Sequence, residues 1–252
     1  MAYYTLSALA GAAGKGKISA AAIAAEVADT ERSEEAVRAD MTRALSVMRD
    51  AANAGLKNTE RSASGLSGGD SVRLQKAVQN GLLNGCPLIA DMMTIALAVS
   101  EQNAKMGRIV ACPTAGSCGI VPAVFFALQK ASGYSDEELV DALFTAGAVG
   151  VVIAKNASIA GASGGCQAEC GSAAAMAAAA VVELMGGTPE EACHAVAFAL
   201  KSLMGLVCDP VGGLVEVPCV KRNAFCAVNA YVAATMALAG IESLIPADEV
   251  IK

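Results

Sequence analysis

The chain has no tryptophan, and aromatic residues make up only 4% of it, so its interior cannot be organised around large rings. It has a single histidine, His194, which excludes metal sites that need two or more imidazoles. Charged residues are scarce at 17%, the formal net charge is −6, and no basic stripe offers a surface to nucleic acid. No Gly-Lys-Thr/Ser triplet occurs, which excludes a phosphate loop. The glycines at 161–165 lack the preceding strand that a dinucleotide fingerprint requires. Met1-Ala2-Tyr3-Tyr4 carries no secretory pattern. An odd count of nine cysteines in a long apolar chain does not suit a disulfide scaffold, so a reducing cytoplasm is expected. The apolar run 224–241 contains Asn229, Thr235 and much alanine, with Arg222 and Glu242 at its flanks. It reads as a buried central helix and not as a membrane span.

What is present is aliphatic. Hydrophobic residues are 55% of 252, enough for one sizeable core in which small side chains let helices approach closely. Helical periodicity runs through most of the chain. Ser33-Glu34-Glu35 caps a helix to about 54, with Val37, Met41, Leu45 and Met48 on one face. Further helices are predicted at about 71–81, 87–106 and 121–130, the last stopped by Gly133. Ser135 starts one that runs to about 155. An alanine-rich helix covers about 168–185, Thr188-Pro189 opens the next, and a last one begins at about Ala224. No alternating strand pattern, repeat or linker appears. The prediction is an all-α single domain over 1–252.

Glycine- and hydroxyl-rich segments interrupt these helices. Ser67-Gly68-Gly69, Thr114-Ala115-Gly116-Ser117 and Asn156-Ala157-Ser158 each precede a helix start, where backbone N–H groups can bind a small carboxylate. Ordinary capped loops would look the same. Three cysteines sit at similar breaks: Gly164-Gly165-Cys166-Gln167, Val207-Cys208-Asp209-Pro210 and Pro218-Cys219-Val220-Lys221. Their spacing, Cys-x41-Cys-x10-Cys, is a weak signal for metal binding by itself, and buried filler is the ordinary role of a cysteine. A pairing of a cysteine with His194 for nucleophilic catalysis has no spacing to support it.

These same segments closely resemble the iron–sulfur-dependent bacterial L-serine dehydratases, in their catalytic α chain or α domain. The resemblance rests on Ser64-Gly65-Leu66-Ser67-Gly68-Gly69-Asp70, Cys112-Pro113-Thr114-Ala115-Gly116-Ser117, Asn156-Ala157-Ser158, Gly164-Gly165-Cys166-Gln167-Ala168-Glu169, Gly205-Leu206-Val207-Cys208-Asp209-Pro210 and Glu216-Val217-Pro218-Cys219-Val220-Lys221-Arg222-Asn223. These motifs stand in order over about 40–240. It implies that Cys166, Cys208 and Cys219 hold a 4Fe–4S cluster whose remaining iron is an open Lewis acid. It implies conversion of L-serine to pyruvate and ammonia without pyridoxal phosphate. Binding the hydroxyl to such an iron makes a poor leaving group able to depart, while a base removes the α-proton. The aminoacrylate formed tautomerises and hydrolyses.

The base stays open, with His194, Lys201 and Lys221 as candidates. Ser67, Gly68, Gly69, Thr114, Gly116, Ser117, Asn156 and Ser158 are candidates for substrate binding at helix starts. Cys86, Cys112, Cys118, Cys170, Cys193 and Cys226 are expected to be packing residues. Ser163 stands where many members of that family carry glutamate. No second, β-type region is present, which implies a separate β chain, a homo-oligomer, or both. A hydro-lyase acting on another small hydroxy or amino acid, or an inactive iron–sulfur sensor subunit, are the alternative readings.

Overall fold

The structure is a computed structural model that describes residues 3–252. Met1 and Ala2, part of the N-terminal pattern considered above, lie outside the described residues. Twelve α-helices follow one another, and no strand occurs among the described residues. They are α1 Leu6–Ala13, α2 Ile18–Thr30, α3 Glu34–Gly55, α4 Asp70–Gln79, α5 Pro87–Ala104, α6 Ile120–Ser132, α7 Asp136–Asn156, α8 Gly161–Cys166, α9 Ser172–Leu184, α10 Pro189–Leu203, α11 Cys219–Leu238 and α12 Ala247–Ile251. The fold is all-α, as predicted.

The local signals act as their chemistry requires. The Ser33 hydroxyl accepts from the Ala36 amide to open α3. Ser135 with Glu138, and Thr188 with Glu191, form reciprocal capping boxes at α7 and α10. Gly133 closes α6 in the left-handed conformation at φ 76°.

The centre of the molecule is α9, whose residues from Ser172 to Glu183 are all buried. Helices α6, α7, α10 and α11 surround it. Its outward face is largely methyl groups, so each neighbour sits close and many weak dispersion contacts replace a few large ones. One continuous apolar core runs from Leu6 to Ile251. No single described helix is long and apolar enough to cross a membrane. Only α7 joined to the α8–α9 run passes such a test, as a pair bent by 76°.

Three boundaries differ from expectation, and two of them bear on the site. Residues 161–166 form a short helix where a loop was expected, and 167–171 continue it as a wide π-helical turn. Helix α11 starts at Cys219, five residues before the predicted Ala224, so Cys219 occupies a first helical turn instead of a loop. Helix α12 was not predicted, whereas α1, α2 and α3 fall in the segment 3–55 read as helical; Asp248 of α12 caps α1 by accepting from the Leu6 and Ser7 amides.

Gly55, at the end of α3, lies directly on α5. A Cβ there would come within 2.1 Å of the Ala98 carbonyl oxygen, a backbone atom that cannot swing aside. Gly55→Ala is therefore expected to lower stability by about 1–3 kcal/mol through overpacking. A shift in the denaturant midpoint, at unchanged slope, measures it.

Candidate active site

The three cysteines are brought to one region by contacts between α8, the 205–209 loop and α11. Gly165 has φ 75°, and a Cβ on it would meet the Leu206 carbonyl oxygen at 3.1 Å and the Cys208 nitrogen at 3.3 Å. Only glycine lets the chain before Cys166 lie so close to the chain before Cys208. The Gln167 amide donates to Leu206 O at 2.8 Å, and the Gly205 amide donates back to Gln167 Oε1 at 2.7 Å. Arg222, in the first turn of α11, closes the group. Its Nη1 donates to Cys166 Sγ at 2.9 Å and to Val207 O at 3.1 Å, and it pairs with Asp209 at 2.6 Å.

Cys166 and Cys219 are buried and Cys208 is exposed. Burial raises the Cys166 thiol above its ordinary value, against the hydrogen bond from Arg222, and the nearby Cys208 and Glu169 add to the rise. Burial, with the charges of Cys166, Glu169 and Cys208, pushes Cys219 up to about 11. Both groups are thus thiols until something that prefers thiolate displaces their protons.

No three described His, Cys, Asp or Glu side chains are grouped to hold one metal ion. A four-iron cube makes a different demand, since each thiolate binds its own iron and the ligands stand apart across the cube. The donor set, three neighbouring thiols with a guanidinium donating to one sulfur, fits such a group in its chemistry.

Around this region the glycine- and serine-rich segments are folded onto carboxylates of the protein itself. The hydroxyls of Ser62, Ser64 and Ser67 all donate to Glu216 Oε2, at 2.9, 2.7 and 3.1 Å. Burial works against the Glu216 charge, but the three hydroxyls and Lys221 together lower its carboxyl below the ordinary 4.5. Gly68 has φ 121° and passes so near Glu60 that a Cβ would approach its carbonyl oxygen to 2.3 Å. The start of α4 is not an open carboxylate cradle. Its Asp70 amide donates to Glu101 Oε1 at 2.7 Å. Glu101 is 2% exposed, its Oε2 has no partner, and burial raises its carboxyl. The expectation that Ser67, Gly68 and Gly69 offer free donors to a substrate carboxylate is corrected here: Ser67 and the α4 start are already engaged.

Lys221, a base candidate, pairs with Asp70 at 2.6 Å. Thr114 Oγ1 donates to Glu169 Oε1 at 2.7 Å and lies 3.2 Å from Ser117 Oγ, which itself donates to Cys112 O. Asn223 is wholly buried. It takes the Gly119 amide on Oδ1 and donates Nδ2 to Gly116 O and Cys219 O, which locks the 112–119 segment to the start of α11. The structure therefore brings Ser67, Thr114, Gly116, Ser117 and Lys221 to the same part of the fold as the cysteines.

Asn156 and His194 stand elsewhere, whereas Ser158 packs on α8 beside Gly164, two residues before Cys166. Asn156 donates to Tyr4 O and Val152 O, tying down the chain near its N-terminus. Ser158 shares a hydrogen bond with Ser163, both exposed. His194 Nδ1 accepts from the Ser243 amide. Ser243 lies beyond the C-terminal end of α11, a 20-residue helix, whereas Cys219 begins it. That length is about 30 Å, so His194 is not brought to the cysteines. Lys201 is exposed on α10. Of the six cysteines expected to be packing residues, Cys112, Cys118, Cys170 and Cys226 are buried; Cys193 is half-buried and Cys86 is exposed. The residues that the sequence motifs contained but to which no role was given are Glu169, Glu216, Arg222 and Asn223.

Residues 13–252 match the family model described as serine dehydratase alpha chain. The chain is 54% identical over 234 residues to a probable L-serine dehydratase alpha chain of Bacillus subtilis (strain 168), covering 93% of this chain and 78% of that one. It is 42% identical over 226 residues to the L-serine dehydratase alpha chain of Peptoniphilus asaccharolyticus, covering 90% and 77%. It also matches an L-serine dehydratase of Streptomyces coelicolor, 46% identical over 159 residues that make up only 35% of that protein.

The Glu216 lock carries a definite pH sign. A carboxyl whose folded value lies below its unfolded one stabilises fully at neutral pH, and that contribution is lost as pH falls through the lowered value. Acid unfolding of Glu216→Gln should therefore show a weaker loss of stability between pH 5 and 3 than the unchanged protein, from a lower starting stability at pH 7. Faster amide exchange at 62–67 should accompany it.

Proposed function

The chain belongs to the serine dehydratase alpha chain family, and from that premise we propose that it eliminates water from L-serine, yielding pyruvate and ammonia, at a 4Fe–4S cluster held by Cys166, Cys208 and Cys219. The observation that carries this reading is the Arg222-bridged meeting of the three cysteine-bearing segments, since filler cysteines would need no shared guanidinium. Cys166, Cys208 and Cys219 would hold that cluster, which when bound would supply a Lewis acid for the departing hydroxyl.

The rest of the work falls to the chain. Arg222 donates a charge-assisted hydrogen bond to the sulfur of Cys166 and so favours the thiolate form. Cys219 stands at the positive end of α11, where the helix dipole also favours negative charge. The Ser62–Glu216 and Asn223–Gly116 contacts hold the two flanking segments in fixed positions before substrate arrives, which lowers the entropy cost of orienting it. Lys221, fixed on Asp70, remains a candidate for proton transfer or substrate contact by its place in the first turn of α11. A second, β-type chain is the proposed partner, in keeping with the alpha-chain names of its relatives. Nine unpaired thiols suit a reducing compartment.

Purified without oxygen, the protein should carry about four irons and matching sulfide per chain, with broad visible absorbance. It should release pyruvate and ammonia from L-serine, with the partner chain supplied where turnover requires it. Replacing Cys166, Cys208 or Cys219 by alanine should remove cluster and turnover together, whereas Cys86→Ala should change neither. Full iron content and activity after any one of the three changes contradicts the ligand assignment.

A further inference from the structure

Of the carboxylates that line this region, Glu101, Glu169 and Glu216 form no ion pair among the described residues, and of these three only Glu169 is partly exposed. Asp70 is paired with Lys221 at 2.6 Å, and Asp209 with Arg222 at 2.6 Å. Glu216 holds three serine hydroxyls, and Glu101 holds the start of α4. Glu169 is half-buried, three residues beyond Cys166 in the π-helical turn. Its Oε1 takes the Thr114 hydroxyl, and its Oε2 has no described hydrogen-bond partner. No ion pair to it occurs among the described residues, and the two cations in the first turn of α11 are paired with Asp70 and Asp209. Its place in the chain after Cys166 and its contact with Thr114 set it between the cysteine region and the 112–119 segment.

The space for this carboxyl is made by two glycines. A Cβ on Gly116 would meet Oε1 and Oε2 at 2.9 Å, and one on Gly161 would meet Oε2 at 2.5 Å. The 112–119 segment and the start of α8 thus each place a glycine against this carboxylate, and Thr114 holds one of its oxygens. An acid that only solvated the surface would need neither. A half-buried carboxylate with one oxygen fixed and the other without a described partner can take a cationic group as a charge-assisted partner.

We propose that Glu169 receives the ammonium group of the substrate, and is the residue by which this chain selects a β-hydroxy amino acid over the corresponding hydroxy acid. The inference rests on the L-serine reading above. It adds the recognition element that the thiols cannot supply, since an open iron addresses a hydroxyl or carboxylate equally in either class. Ammonium and carboxylate form a charge-assisted pair at Oε2, with Thr114 holding the other oxygen. No proton needs to move for this role, and no covalent bond forms.

The test uses anaerobically prepared, cluster-loaded protein, with binding followed by the change in cluster absorbance or by calorimetry. The ligands are L-serine and glycerate, in which a hydroxyl replaces the ammonium. Unchanged protein should prefer L-serine. Glu169→Gln, which keeps the shape and the acceptor for Thr114, should weaken L-serine binding by about 10- to 100-fold, the loss of one charged hydrogen bond. Glycerate binding should be unchanged or tighter, and iron content and melting temperature should be unaltered. Thr114→Val, which frees the carboxyl to rotate, should weaken L-serine alone and by less. L-serine binding unaltered by Glu169→Gln, or both ligands weakened equally, overturns the proposal. Unchanged protein that carries the cluster but binds no L-serine overturns the L-serine reading itself, and this inference with it.

Discussion

The guanidinium of Arg222 is the contact on which the candidate site depends. It touches the sulfur at the end of α8, the carbonyl of Val207 and the carboxylate of Asp209, from a position one turn into α11. Without it, the Cys166 segment would be tied to the 205–208 loop by Gly165 and the two hydrogen bonds at Gln167, and that loop to the approach to α11 by the Val211 amide on Val217 O. All three contacts fall on one nitrogen, Nη1, of a guanidinium that stays charged at any pH the protein meets. It also brings positive charge to a place that must hold thiolates, and so acts on the chemistry as well as on the geometry.

Around that contact the protein fills its own helix starts with carboxylates. Glu101 takes the amide that opens α4, and Glu216 takes the hydroxyls of the 62–67 loop. Glu169 lies between two glycines against Thr114. These acids come from α5, from the approach to α11 and from the π-helical turn. Each one pins a glycine-rich loop to a helix packed in the core. Loops rich in glycine lose much entropy on ordering, and buried charge-assisted hydrogen bonds are the interactions strong enough to offset that loss at so few points. The 205–215 loop, which carries Cys208, is exposed along most of its length.

The helices were legible because their signals are local. Ser33, Gly133, Ser135 and Thr188-Pro189 act within a turn of themselves, and the structure places each boundary where that chemistry points. The start of α11 was not legible, because Pro218, Lys221, Arg222 and Asn223 look like loop; Asn223 is helical there because its amide is spent on Gly119, Gly116 and Cys219. The short α8 was missed for a similar reason, since Gly-Ala-Ser-Gly-Gly-Cys has little helical preference and is held from outside by the 205–208 loop. Within the site, the segments were legible and their partners were not. A serine before a helix reads as an open donor until a distant acid is seen to occupy it, which is why Ser67 was assigned to substrate and Glu216 to nothing. Glu169 stood inside a recognised motif, but only the folded chain puts Gly116 and Gly161 on either side of it.

The central claim is that three thiolates from these segments hold a four-iron cluster and leave one iron for the substrate. Mössbauer spectroscopy of the anaerobic, iron-57-labelled protein with and without L-serine tests it most directly. The account predicts that one iron in four changes its isomer shift and quadrupole splitting when L-serine is added, while the other three keep the parameters of thiolate-bound sites. A spectrum in which all irons respond alike, or none responds although L-serine is bound, would contradict it.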